Sequence, residues 1–99
     1  MNVLMNALII DDEMDICFLL TEILKSKNIV SSCASTLLEA RDSLKNESPR
    51  LVFLDNHLPD GLGIEFISYI KQAAPFSKIL MITANDTTAY RTRALNEGA

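Results

Sequence analysis

The sequence lacks the features that would connect it to a membrane or to nucleic acid. No apolar stretch reaches the roughly 20 residues that a membrane-spanning helix needs, and no basic region, signal-type core and cleavage site open the chain. The chain has nine Lys and Arg residues and 13 Asp and Glu residues, which gives a net charge of −4, and it has no basic run. We therefore expect a cytoplasmic chain that binds neither nucleic acid nor a membrane directly.

Residues that commonly bind soft metals or carry out redox chemistry are also scarce. Cys17 and Cys33 are the only cysteines, and His57 is the only histidine. The cysteines have neither C-x-x-C spacing nor a neighbouring histidine, so the pattern favours reduced, structural thiols. A single imidazole without a partner ligand does not indicate a metal site either.

What the chain does contain is a regular alternation of short apolar runs and amphipathic segments. Its 99 residues, 48% of them hydrophobic, suit one small domain without a linker or repeat. The alternation predicts β-α-β units and a parallel sheet. The predicted strands lie at about 6–10, 29–34, 51–55 and 78–83, and the predicted helices at about 14–26, 37–46, 64–74 and 87–96.

Local signals support these helices. In the first predicted helix, apolar residues recur at the spacing of one core-facing side: Ile16, Leu19, Leu20, Ile23 and Leu24. Thr36, with Glu39 three residues later, forms a capping box at the start of the second. Pro75 ends the third, and Gly98 suits the end of the fourth.

Carboxylates follow two of the predicted strands. Asp11 and Asp12 come after one apolar run, and Asp55 ends another. Because parallel strands end along one edge of a sheet, these groups are expected to meet there. Two carboxylates about 5 Å apart repel by roughly 3 kcal/mol at an effective dielectric of about 20. A bound Mg²⁺ would relieve that repulsion and orient a phosphate, whereas helix capping by Asp11 or Asp12 needs only one acid and leaves Asp55 unexplained.

In order along the chain, these residues resemble the receiver domain of two-component response regulators. The resemblance covers residues 7–99 and rests on the acidic cluster, Asp55, the loop 58–63, Thr83-Ala84 and the final Glu97-Gly98-Ala99. Asp55 follows Asp12 and Asp11 by 43 and 44 residues and precedes Thr83 by 28, which fits the family pattern. The resemblance to receiver domains implies a flavodoxin-like, three-layer α/β/α fold whose parallel strands have the order 2-1-3-4.

The resemblance also implies a site. Asp55 is the expected acceptor of a phosphoryl group from a sensor histidine kinase, in a reaction that depends on Mg²⁺ or Mn²⁺. Asp12 would bind the ion directly, Asp11 largely through water, and His57 through its backbone carbonyl. Thr83 would donate its hydroxyl to the phosphoryl group as a switch residue, although Thr is common at the end of any strand.

The remaining loop residues have plainer interpretations. The side chain of His57, with Asn85, would lie at the rim of the site and tune hydrolysis of the acyl phosphate, and a solvated loop histidine explains it equally well. Pro59, together with Gly61 or Gly63, is expected to form the turn that shapes the loop.

The end of the sequence at Ala99 departs from the family pattern. Complete receiver domains continue into a fifth strand, with an aromatic switch residue and a Lys, and into a fifth helix. We therefore expect residues 1–99 to be an incomplete receiver domain with impaired phosphoryl chemistry. It would be either a fragment of a regulator whose output domain lies beyond Ala99 or a homodimer that pairs through the exposed strand at 78–83.

The expected function is therefore a signalling switch rather than an enzyme. A phosphatase of the haloacid dehalogenase type also uses a strand-end Asp and Mg²⁺, but it needs a second Asp where this chain has His57. A receiver-like interaction module that is never phosphorylated remains the alternative.

Overall fold

Four parallel strands form the sheet of the computed structural model, which describes residues 5–82, 93 and 95–98. These strands are β1 (Met5–Ile10), β2 (Ile29–Ala34), β3 (Leu51–Asp55) and β6 (Lys78–Ile82). A short hairpin of β4 (His57–Leu58) and β5 (Gly61–Leu62) follows β3. The helices are α1 (Met14–Ser26), α2 (Leu37–Asn46), a 3₁₀ helix (Gly63–Phe66) and α3 (Ile67–Ala73).

The order of strands in the sheet is β2-β1-β3-β6, and every neighbouring pair is parallel. This confirms the predicted order 2-1-3-4, since the hairpin strands only change the numbering of the last strand. Alternate residues of β1 point to opposite faces of the sheet. Leu8 and Ile10 pack with α2 and α3, while Ala7 and Ile9 pack with Leu24 of α1, so the sheet is covered on both faces.

Two predictions about the helices differ from the structure, and a third concerns a segment that is largely not described. The single helix predicted at 64–74 begins as a 3₁₀ turn and becomes α-helical only at Ile67. Leu19 and Ile23, predicted to face the core, are 56% and 44% exposed. The reason is that α1 lies over β2 at the sheet edge, so the inward stripe runs through Cys17, Leu20 and Leu24. The helix predicted at 87–96 falls largely outside the described residues.

The expectation of two free thiols is wrong for this structure, because Cys17 and Cys33 are joined in a disulfide. The two cysteines are 16 residues apart in the sequence, and this spacing does not indicate that they are close in the fold. Cys17 lies in the first half of α1, and Cys33 lies in β2, the strand against which that helix packs. The Cα atoms are 6.4 Å apart, within the range that a disulfide bridges.

Reduction of this disulfide is expected to lower the melting temperature by about 12 to 24 °C. A crosslink that closes a loop of about 15 residues stabilises a fold by about 3 kcal/mol, and each kcal/mol shifts the melting temperature of a domain this small by about 4 to 8 °C. Thermal unfolding followed by circular dichroism, with and without a phosphine reductant, measures the effect. A Cys33→Ser variant should melt like the reduced protein in both buffers. Identical melting of the oxidised and reduced wild type would contradict the prediction.

Within the described part of the chain, no helix has the length and apolar character needed to cross a bilayer.

Candidate functional site

Asp11, Asp12 and Asp55 meet at the C-terminal edge of the sheet, as their positions in the sequence predict. Strands β1 and β3 are neighbours, and Ile10 pairs with Leu54 in their register. Asp11 directly follows β1 and Asp55 is the last residue of β3, so the two side chains lie next to each other. One carboxylate oxygen from each of the three acids lies within 4.8 Å of the others. The strand register therefore creates the carboxylate cluster.

Asp11 is held in place by the turn that leads into α1. Its backbone N–H donates to the carbonyl of Ala34 at 3.0 Å, and its Oδ1 accepts from the N–H of Glu13 at 2.8 Å. This is a local Asx-type turn rather than a side-chain cap, since Glu13 is the N-cap residue and makes no side-chain hydrogen bond. Asp11 is only 5% exposed, whereas Asp12 is exposed. The cluster therefore has a buried member and an open one.

The site holds negative charge that the surrounding groups only partly offset. Burial raises the pKa of Asp55, and the charge of Asp11 raises it further, against opposing hydrogen bonds from the N–H groups of His57 and Asn56. Burial likewise raises the pKa of Asp11, opposed by its hydrogen bond from Glu13. Two charges 4.8 Å apart repel by roughly 3 kcal/mol at an effective dielectric of about 20. The folded chain therefore favours a proton or a cation at this site.

The chemistry and spacing of these oxygens fit a small divalent cation. Mg²⁺ binds oxygen ligands at about 2.1 Å, so two ligands of one ion lie at most about 4.2 Å apart. A small contraction of a cluster whose oxygens lie within 4.8 Å brings them to that spacing. An all-oxygen donor set suits Mg²⁺ or Mn²⁺. The residues present therefore fit the ion that the sequence predicts.

The raised pKa values of Asp55 and Asp11 predict opposite effects of pH with and without the cation. A carboxyl whose pKa is higher in the folded chain binds protons more tightly there, so without cation the stability rises as pH falls from 7 toward about 4, the ordinary value for Asp. Protons compete with Mg²⁺ for the same oxygens. The increase in melting temperature caused by Mg²⁺ should therefore shrink over the same pH interval.

Melting curves in chelator and in Mg²⁺ at several pH values measure both effects. Asp60, whose pKa is lowered by hydrogen bonds from the N–H groups of Leu37 and Leu38, acts in the opposite direction. The contribution of Asp60 to the free energy of unfolding is lost only below about pH 4, the ordinary pKa of Asp. It therefore does not change the effect of pH on stability above that value. An Asp55→Asn variant should show a weaker pH effect in chelator. A Mg²⁺ effect that is constant between pH 7 and about 4 would contradict the assignment.

The loop after Asp55 is held by Asn56, to which the sequence analysis assigned no role, and by Gly63. Asn56 is 1% exposed, its backbone carbonyl accepts from the N–H of Gly63 at 2.8 Å, and its Oδ1 accepts from the N–H of Ile64 at 3.0 Å. A Cβ on Gly63 would lie 2.0 Å from the carbonyl oxygen of Asp55. Gly63 is therefore required by close backbone approach, rather than by turn conformation. In the sequence, the signal for this arrangement is an Asn directly after Asp55 and a Gly seven residues further on.

Residues 7–99 match the family described as response regulator receiver domain. The chain is a member of that family. It is 39% identical over 93 residues to the response regulator protein PilR of Pseudomonas aeruginosa, an alignment that covers 94% of this chain and 21% of PilR. The chain thus spans between about a fifth and two fifths of the length of the first curated relatives that it matches.

Solved structures place this receiver domain in the CheY-like fold. A response regulator protein from Burkholderia pseudomallei, solved with a phosphorylated aspartic acid, a calcium ion and citrate, superposes with a TM-score of 0.92 at 25% identity, over 96% of this chain and 56% of that one. The beryllofluoride-activated NtrC4 receiver domain dimer superposes with a TM-score of 0.88 at 33% identity, over 95% of this chain and 78% of that one. The flavodoxin-like fold predicted from the sequence is confirmed.

Of the remaining predicted site residues, the structure describes His57, whereas Thr83 and Asn85 are not among the described residues. His57 follows Asp55 by two residues, and its N–H donates to Oδ1 of Asp55 at 3.4 Å, while the residue as a whole is exposed. This contact places the His57 backbone beside the cluster. Thr83 and Asn85 lie outside the described residues, so their roles stay predictions from the sequence.

Proposed function

We propose that Asp55 accepts a phosphoryl group from a sensor histidine kinase in a Mg²⁺-dependent reaction, and that this modification controls an output domain or partner protein. The observation that carries the proposal is the convergence of Asp11, Asp12 and Asp55 within 4.8 Å at the end of parallel strands, in a chain of the receiver family. The protein would act as a cytoplasmic signalling switch rather than as an enzyme with a substrate of its own.

In this reaction an Asp55 carboxylate oxygen forms a bond to phosphorus while the bond between phosphorus and the donor breaks. The donor group leaves with that electron pair, and the product is an acyl phosphate on Asp55. Asp12 and Asp55 would hold the divalent cation directly, Asp11 through water, and His57 through its backbone carbonyl. When bound, the ion offsets the negative charge of both reactants.

Thr83 would complete the switch by donating its hydroxyl to a phosphoryl oxygen. Phosphorylation would then stabilise one of two conformations of the domain, which is a shift of population. The phosphorylated aspartic acid and calcium ion of the Burkholderia pseudomallei relative support this proposal by similarity.

Self-association is a further part of the proposal. Among the strands described between residues 5 and 82, β6 lies at one edge of the sheet, and its Leu80 is 46% exposed. An exposed apolar strand edge favours pairing with another chain. The NtrC4 receiver relative is a dimer in its activated form, which supports testing for a dimer here.

The function is tested by intact mass spectrometry after incubation with acetyl phosphate, in Mg²⁺ and in chelator. We expect one phosphoryl adduct in Mg²⁺ and none in chelator. Light scattering on the same samples reports the oligomeric state. A folded protein that binds Mg²⁺ yet acquires no adduct, also when extended to the length of a complete receiver domain, would contradict phosphoacceptance and favour the receiver-like interaction module.

A further inference from the structure

The hairpin that follows the acceptor reaches from the carboxylate cluster to the start of α2. His57 pairs with Leu62, and Leu58 pairs with Gly61, which leaves Pro59 and Asp60 at the tip. Both carboxylate oxygens of Asp60 accept hydrogen bonds from α2, Oδ1 from the N–H of Leu37 at 2.8 Å and Oδ2 from the N–H of Leu38 at 3.0 Å. The tip is thus bonded to an element more than 20 residues away in sequence.

The start of α2 therefore has two side-chain caps of different origin. Thr36, its own N-cap residue, accepts from the N–H of Glu39 through Oγ1 at 3.0 Å. Asp60 accepts from the two preceding N–H groups and brings a negative charge to the positive end of the helix dipole. Those hydrogen bonds, first of all the one from Leu37, lower the pKa of Asp60. Only the cap from Asp60 connects the helix to the hairpin.

The hairpin's own pairing is minimal, so contacts with the rest of the fold hold it in place: Leu58 is buried in the core, and Asp60 bonds the tip to α2. Each strand contributes two residues, and an isolated two-stranded hairpin is at best marginally stable in water. Its base is fixed by the bonds from Gly63 and Ile64 to Asn56. At its far end, Gly61 lies so near Leu37 that an added Cβ would be 3.0 Å from Leu37 Cδ1. The bonds of Asp60 fix this far end.

We propose that Asp60 is a positioning residue for the divalent-cation site. By anchoring the hairpin tip to α2, it fixes the backbone of His57, whose N–H contacts Asp55 and whose carbonyl is the proposed ligand. This inference rests on the proposed function, because it concerns the same cation. It adds a residue that the sequence interpretation did not assign and makes α2 part of the support of the site.

A comparison of Asp60→Ala with Thr36→Ala tests this role. Both variants remove a side-chain cap from the same end of α2, and both are expected to lower the melting temperature. Only Asp60→Ala also frees the hairpin tip from α2. Calorimetric titration with Mg²⁺ should therefore show a loss of affinity of about tenfold for Asp60→Ala, the scale seen when partners of metal ligands are removed, and wild-type affinity for Thr36→Ala.

An Asp60→Asn variant adds a conservative case. Its amide oxygen still accepts one hydrogen bond, so its Mg²⁺ affinity should fall between those of the wild type and Asp60→Ala. If Asp60→Ala does not fold, Asp60→Asn decides, with reduced affinity supporting the role and wild-type affinity overturning it. Equal affinities of Asp60→Ala, Thr36→Ala and the wild type would overturn the role and leave the proposed function standing. A folded wild type that does not bind Mg²⁺ would overturn both.

Discussion

Replacement of Asp55 by Asn is expected to abolish the phosphoryl adduct completely. The amide has nearly the same shape as the carboxylate but lacks the nucleophilic, negatively charged oxygen that forms the acyl phosphate. The adduct is measured by intact mass after incubation with acetyl phosphate and Mg²⁺. The same substitution removes one of three neighbouring negative charges, so the melting temperature in chelator should rise at neutral pH.

Asp12→Asn is the matched comparison for this result. It also removes one negative charge from the cluster, but it leaves Asp55 in place. The adduct should therefore still form, more slowly and at higher Mg²⁺ concentrations, because a proposed direct ligand is lost. An adduct of undiminished yield on Asp55→Asn would contradict the assignment of the acceptor. Complete loss in both variants would leave the two roles unresolved by mass alone, and Mg²⁺ titration of each variant separates metal binding from phosphoacceptance.

Replacement of Gly63 by Ala is expected to destabilise the domain by about 3 kcal/mol or more, the upper end of the range for overpacking a buried position. The added Cβ would lie 2.0 Å from the carbonyl oxygen of Asp55 and 3.0 Å from its carbonyl carbon. These are backbone atoms, and movement of Gly63 away from them breaks its hydrogen bond to Asn56. Both the fold and the position of the acceptor should suffer.

Urea denaturation measures the loss, with Ser68→Ala as the control. Ser68 is exposed on α3, and a substitution there should change the free energy of unfolding by no more than about 0.5 kcal/mol. The Gly63→Ala variant that remains folded should also bind Mg²⁺ more weakly, since the Asp55 carbonyl lies on the strand end that bears the acceptor. Wild-type stability of Gly63→Ala would show that the loop relaxes freely.

The sequence sufficed for the features that depend on repeated local patterns. Apolar runs define β1 and β3, parallel pairing follows from the intervening helices, and the register then brings Asp11 and Asp55 together. The capping of α2 by Thr36 was also predictable, because both partners lie within one helical turn. These predictions use interactions within a few residues or rules common to all parallel sheets.

Features that depend on contacts between distant segments were not predictable from the same patterns. The bonds of Asp60 to α2 and the disulfide of Cys17 with Cys33 join residues whose proximity exists only after the chain folds. A glycine required by close approach looks, in sequence, like one required by a turn, which is why the sequence left open whether Gly61 or Gly63 is the turn residue; the positive φ belongs to Gly61. The exposure of Leu19 follows from where α1 lies on the sheet, which its periodicity does not specify.

Direct location of the phosphoryl group tests the central claim most directly. After phosphorylation in Mg²⁺, borohydride reduction converts an acyl phosphate on Asp into homoserine, which peptide mass spectrometry assigns to a position in the chain. We expect homoserine at position 55 and at no other acidic residue. We also expect it to form only when Mg²⁺ is present. Homoserine at Asp11 or Asp12, or a phosphoryl group that survives as a stable ester elsewhere while Asp55 stays unmodified, would contradict the account.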